Sequence, residues 1–204
     1  MISPTFQKEQ ALWDKGYQFI AGADEVGRGC FAGPVVAAAV ILSPTFSETK
    51  RVRDSKLLSP KIREELDVII RQEALAFAIS EVSVKVINDI GIGKAAQLAF
   101  KRALKKLKPK PEFILMDGFY LRRKRRAVQE RIVHGDALCM SIAAASIVAK
   151  VYRDSRMRTL HERYKRYDFA TNKGYGTKKH QAAIKKYGLS NMHRTSFNLE
   201  KFTH

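Results

Sequence analysis

Between Phe19 and Leu42 the chain reads FIAGADEVGRGCFAGPVVAAAVIL. A short apolar run, Phe19-Ile20-Ala21, leads to two adjacent carboxylates, Asp24 and Glu25. A glycine-rich turn follows, then a longer apolar run from Val35 to Leu42. Gly27, Gly29, Gly33 and Pro34 would break any helix laid across the stretch, so the pattern predicts strand, acidic strand end, loop and strand. A carboxylate beside an apolar sheet is costly unless a cation or donor compensates it, and a hard metal ion does so through oxygen ligands. The bland alternative is a solvated turn, which an isolated Asp-Glu pair would favour. The buried-strand pattern on either side and the Gly-Arg-Gly sequence shift the balance.

Further along, Ser59-Pro60 predicts a helix start, with Ile62, Leu66, Ile69, Ile70, Ala74 and Phe77 as its apolar face. Alternation over 77–84 predicts a third strand near a sheet edge. Ala96, Phe100, Ala103, Leu104 and Leu107 repeat at three and four, predicting a helix over about 93–108. The apolar run 113–116 is a buried strand ending in Asp117, and 128–133 is a fifth strand leading to Asp136, read as a third acidic strand end. Residues 139–164 form a long helix, 168–178 a glycine-containing loop, and Thr177 caps a last helix over 178–187. The run LRRKRR at 121–126 is a solvated or phosphate-facing loop. Short basic clusters match a nuclear localisation signal by chance in so basic a chain.

The 204 residues suit one α/β domain, with about 168–204 as a C-terminal substrate-binding extension. Lys and Arg number 38 against 20 Asp and Glu, a net charge of +18 that attracts polyanions. The apolar runs are too short to span a bilayer and the N-terminus lacks a signal-peptide layout, so the expectation is a cytoplasmic protein with no membrane partner. Cys30 and Cys139 lack metal-ligand spacing, which fits a reducing compartment. On such a protein, Asp24, Glu25, Asp117 and Asp136 can converge at neighbouring strand ends only if cations sit among them. That points to Mg²⁺ or Mn²⁺, with two ions clamping a displacement at phosphorus. Adjacent strand residues face opposite sides, so Asp24 and Glu25 are expected to share a site only if the strand ends or distorts there.

The blocks GADEVGRGCFAGPVVAAAV at 22–40, DSKLLSP at 54–60, LMDG at 115–118, GDALCMSIAAASIVAKVYRD at 135–154, GYGTKKH at 174–180 and HRTSF at 193–197 occur in order. Together they resemble the ribonuclease HII family. The resemblance implies a ribonuclease H-like fold, a five-stranded mixed sheet flanked by helices, with Asp24, Glu25, Asp117 and Asp136 as catalytic metal-binding carboxylates. It implies that the turn at Gly27, Arg28 and Gly29 reads the ribose at an RNA-to-DNA junction and that Tyr175 packs on the following deoxyribose. The substrates implied are RNA–DNA hybrids and duplex DNA containing ribonucleotides, and the protein is expected to be a monomer. Cys30, Phe31 and Leu57 depart from the family pattern of proline, leucine and lysine. Lys56, Lys178 and Lys179 divide between phosphate contact and solvated surface. His180 divides between a phosphate ligand and a packing residue, Ser141 and Ser146 read as hydroxyls bonded back to their helix, and Arg153-Asp154 as an ion pair. Two other readings remain open: another nuclease or strand-transfer enzyme of the same fold, and a non-catalytic basic RNA-binding protein, against which the acids argue.

Overall fold

The computed structural model describes residues 3–47 and 51–203. Part of the expected 43–53 loop therefore lies outside the described residues. Helix α1 (Gln7–Trp13) docks through Leu12, and its buried Glu9 accepts a hydrogen bond from the Ser141 N–H at 2.7 Å. Strands β1 (Ile20–Val26) and β2 (Val35–Ile41) pair antiparallel, with Asp24 opposite Ala38 and Glu25 opposite Ala37. Every β2 residue is buried, so β2 is covered on both faces.

Helix α2 (Pro60–Glu73) starts where Ser59-Pro60 predicts, with the Ser59 hydroxyl accepting from Ile62 N–H. Its inward face differs from the expected one. Arg63, Leu66, Asp67 and Ile70 are buried, Ile62 is exposed, and Phe77 belongs to strand β3 (Ala76–Val82). β3 is an edge strand, with Ala78, Ser80 and Val82 turned inward. The strand stops at Val82 because Ser83 caps an unexpected helix α3 (Val84–Ile90), and α4 (Ile92–Lys106) follows after Gly91.

Strands β4 (Phe113–Asp117) and β5 (Gln129–Ile132) complete a five-stranded sheet in the order β3-β2-β1-β4-β5. β1 runs parallel to β4, and β4 parallel to β5. This is the mixed sheet that the family resemblance implies. Asp136 is a correction: it lies in the first turn of a short helix, α5 (Gly135–Leu138), after β5 has ended. The chain turns into α5 through His134, which is left-handed at φ 56°.

Helix α6 (Met140–Arg163) crosses one face of the sheet and α4 the other. Its alanine-rich first half allows the backbones of α6 and β1 to approach so closely that a Cβ on Gly22 would collide with the Ser141 carbonyl. The expected 168–178 loop contains one helical turn, α7 (Phe169–Asn172), and α8 (Lys178–Tyr187) is capped by Thr177 as predicted. No helix among the described residues is long and apolar enough to cross a membrane.

Candidate active site at the open end of the sheet

The parallel pairing of β1 with β4 has Ala23 opposite Met116 as its last register pair. The next residues, Asp24 and Asp117, thus sit side by side at the ends of adjacent strands and point to the α6 face by strand alternation. Glu25 has the opposite parity. The strand neither ends nor distorts between the two acids, contrary to expectation: β1 pairs regularly with β2 through Val26. Both acids reach one cleft because β4 stops beside them and leaves that end of β1 open. Gly27, Arg28, Gly29, Lys56 and Tyr175 line the same cleft.

Burial first, then the charges of Glu25 and Asp117, push the Asp24 carboxyl well above its ordinary value. Glu25 is pushed from 4.5 to about 7, chiefly by burial, with Arg28 opposing and Asp117 adding to the rise. Asp117 is raised by burial and by Asp136, while a hydrogen bond from Gly135 N–H at 2.7 Å favours its ionised form. Three carboxyls thus share one unfavourable field. Asp136 is held differently: its Oδ2 accepts from Lys56 Nζ at 2.8 Å, so Lys56 here neutralises an acid. Leu57, beside it, points to solvent.

Among the described residues, no three His, Cys, Asp or Glu side chains form a ready-made metal cage. The donor set nevertheless fits Mg²⁺ or Mn²⁺. It is all oxygen, its charges repel one another, and Mg²⁺ commonly takes only one or two protein carboxylates, completing its shell with water and substrate phosphate.

Several cleft residues escaped the sequence reading. The Ser146 hydroxyl meets the Ser55 hydroxyl at 3.0 Å and lines the cleft with Asp24, whose ionised form it favours, so it does not simply bond back to its helix. Arg63 donates to the Ser55 and Leu58 carbonyls, fixing the loop that carries Lys56. Arg153 and Asp154 do not pair. Asp154 takes Lys150 at 2.8 Å and Arg63 at 3.8 Å, while Arg153 donates to the carbonyls of Pro34, Lys173 and Ala32. Neighbours on a helix do not face each other, so that ion pair was sterically unavailable.

Arg28 sits 3.3 Å from Glu25 Oε1, with its guanidinium over the Phe119 ring. Gly27 has φ +90°, and a Cβ there would collide with Arg153; Gly29 faces open space. The Tyr175 ring is two-fifths exposed, and burial together with the Cys30 thiol pushes its hydroxyl up to about 12, so it is neutral. Its backbone is tied down by a buried histidine chain. The Tyr175 carbonyl can only accept, so His180 Nδ1 carries the proton, at 2.8 Å. His180 Nε2 then accepts from His193 Nε2–H at 3.0 Å, and His193 Nδ1 accepts from Ser190 N–H at 2.9 Å. His180 is a packing residue. Lys179 pairs with Asp168 at 2.8 Å.

A family model described as Ribonuclease HII matches residues 21–200. The chain belongs to the ribonuclease HII family. It is 49% identical over 189 residues to the ribonuclease HII of Acholeplasma laidlawii, covering 93% of this chain and 92% of that one. Among solved structures it is similar to the ribonuclease H2 of Pyrococcus horikoshii OT3, with a TM-score of 0.75, 26% identity, and coverage of 91% and 99%. A more distant fold neighbour is Bst-RNase HIII in complex with Mn²⁺, with a TM-score of 0.68, 19% identity, and coverage of 91% and 69%. The protein is therefore a ribonuclease H, a phosphodiester hydrolase. The matched span includes all four acids, Gly27 to Gly29, Lys56 and Tyr175.

Proposed function

We propose that this protein hydrolyses the RNA strand of RNA–DNA hybrids. It also cuts on the 5′ side of ribonucleotides embedded in duplex DNA, leaving 3′-hydroxyl and 5′-phosphate ends, in the service of ribonucleotide removal. The observation that carries this reading is the meeting of Asp24 and Asp117 at adjacent strand ends, in one cleft with a Gly-Arg-Gly turn and an aromatic ring, on a chain of net charge +18. Asp24, Glu25, Asp117 and Asp136 would hold two Mg²⁺ or Mn²⁺ ions, and a fold neighbour solved in complex with Mn²⁺ supports the choice of a divalent ion. When bound, such ions make water a better nucleophile at phosphorus and stabilise charge on the leaving oxygen.

The chain's own residues supply positioning. The backbone of Gly27 to Gly29 meets the ribose 2′-hydroxyl, the group that distinguishes RNA from DNA, without reading a base. Arg28 adds a phosphate contact, and Lys56 moves its charge between Asp136 and phosphate. The neutral Tyr175 ring packs on the next sugar. The protein acts as a monomer in the cytoplasm.

The test is cleavage of a DNA duplex carrying one ribonucleotide, in EDTA, Mg²⁺ and Mn²⁺, with the ends mapped. Divalent-dependent scission 5′ of the ribonucleotide, with all-DNA duplex spared, is expected. Binding without scission, or scission in EDTA, would overturn the reading.

A further inference from the structure

The basic run 121–126 is not a loose tail. Gln97 donates to the Tyr120 carbonyl at 3.0 Å and accepts from Arg122 N–H at 2.8 Å. Buried Gln129 accepts from Leu121 N–H at 2.8 Å and donates to the Lys124 carbonyl at 2.8 Å. Two glutamines thus hold the backbone from below, while Arg122, Arg123 and Lys124 fan out exposed. None of these three makes an ion pair with a described carboxylate. Like charges crowded on a rigid loop without counterions repel one another, and a polyanion relieves that repulsion.

The loop borders a groove that continues from the cleft. Arg28 lines both the cleft and a second cavity bounded by Lys94, Phe119, Tyr120 and Arg122. That cavity runs on, through Phe119, Tyr120 and Arg122, into a third lined by Arg123, Lys124 and Arg126. No acidic side chain lines the second or third. The Arg126 guanidinium lies over the Tyr120 ring at 3.3 Å from its centre, which fixes one more cation in the wall.

We propose that this groove is a phosphate track for the substrate duplex: the flank leaving the cleft past Arg28 lays its backbone along Arg122, Arg123 and Lys124. The inference rests on the nucleic-acid substrate proposed above. It adds an extended footprint on one side only, with affinity but no sequence preference.

The test uses the full chain and three duplexes sharing one central ribonucleotide: one with long flanks on both sides, and one trimmed on each side. Binding is measured in EDTA across a salt series. For Arg122→Gln/Arg123→Gln/Lys124→Gln, affinity for the long duplex should fall about tenfold or more, and the slope of log K against log salt should become shallower by about 2 to 3. Trimming one particular flank should make the variant and the unmodified protein bind equally, while trimming the other should leave the gap intact. Turnover on saturating short duplex and the melting temperature should not change, because the three side chains are exposed.

An equal loss on all three duplexes would mean a diffuse field and refute the track. So would unchanged binding to every duplex, which would point to a different occupant such as an acidic protein. If the unmodified protein binds the duplexes but cuts none with Mg²⁺, the proposed function fails while the track is still judged from binding.

Discussion

Replacing Glu25 with Gln should stabilise the metal-free protein at alkaline pH while removing activity. The Glu25 side chain is only 12% exposed, and its carboxyl is raised from 4.5 to about 7. Moving a carboxyl that far separates the native cost of its two protonation states by about 3 kcal/mol. The sign follows from proton counts. Between pH 4.5 and 7 the native state holds a proton that the unfolded state has released, so wild-type stability falls as pH rises through that window. Glutamine carries no such cost, and the exposed Arg28 contact that it weakens is worth under about 1 kcal/mol.

The variant should therefore match wild type near pH 4.5 and exceed it by on the order of 3 kcal/mol at pH 8 in EDTA, about 6 to 12 °C in Tm. His193, buried and lowered to about 4, works in the opposite sense between pH 6.5 and 4, since there the unfolded state binds the extra proton. It is present in both proteins and cancels in the difference. Urea denaturation at pH 4.5, 6, 7 and 8 measures the gap. A pH-independent gap, or a variant less stable at pH 8, refutes the view that Glu25 is held against its own electrostatics. Saturating Mg²⁺ should narrow the gap, because at a hundred times its Kd a ligand adds about 2.7 kcal/mol to the protein that binds it.

Asp24→Asn and Asp117→Asn should abolish cleavage yet bind duplex as well as wild type or better, since each removes a charge that repels phosphate; normal turnover in either, with contaminating nuclease excluded, contradicts the assignment. Tyr175→Ala should lose more activity on a single embedded ribonucleotide than on a long hybrid, where many registers are available, and equal losses would make the ring merely structural. The two glycines of the turn should separate. Gly27→Ala meets Arg153 at a left-handed φ and should lower Tm by several degrees, whereas Gly29→Ala should melt normally and fail only at the junction. A Gly29→Ala enzyme with unchanged junction cleavage would remove the recognition role.

Strands β1, β2 and β4 and the α6 helix were legible because each is a long apolar block with clear punctuation. Helix α3 was hidden because Val82, Val84 and Val86 continue the alternation of β3 in a β-branched composition. Only Ser83, as a cap, signals the change. Asp136 was misplaced as structure, because four residues of α5 are too few to show a period. The meeting of Asp24, Glu25 and Asp117 in one cleft was legible in the same way as the strands, by position at the end of apolar runs. The placing of Ser146 in the cleft with Asp24 was not, because nothing local distinguishes a serine facing a carboxylate 122 positions away from one bonded to its own helix.

The buried arginines were the least legible and connect the most. Arg153 and Arg194 are fully buried, and hydropathy alone assigns both to solvent. Arg194 donates to the carbonyls of Arg28 and Gly33, while its N–H bonds the Phe31 carbonyl. Arg153 holds Ala32, Pro34 and Lys173, and the Phe31 N–H bonds the Gly174 carbonyl. The turn after β1 is thereby tied to α6, to the segment carrying Tyr175 and to the C-terminal residues. A buried carbonyl that loses its donor costs about 1–3 kcal/mol. The C-terminal segment therefore helps to set the shape of the Gly27 to Gly29 turn as well as adding positive charge. None of the HRTSF side chains lines the cleft, yet its arginine bears on it through the backbone of the turn.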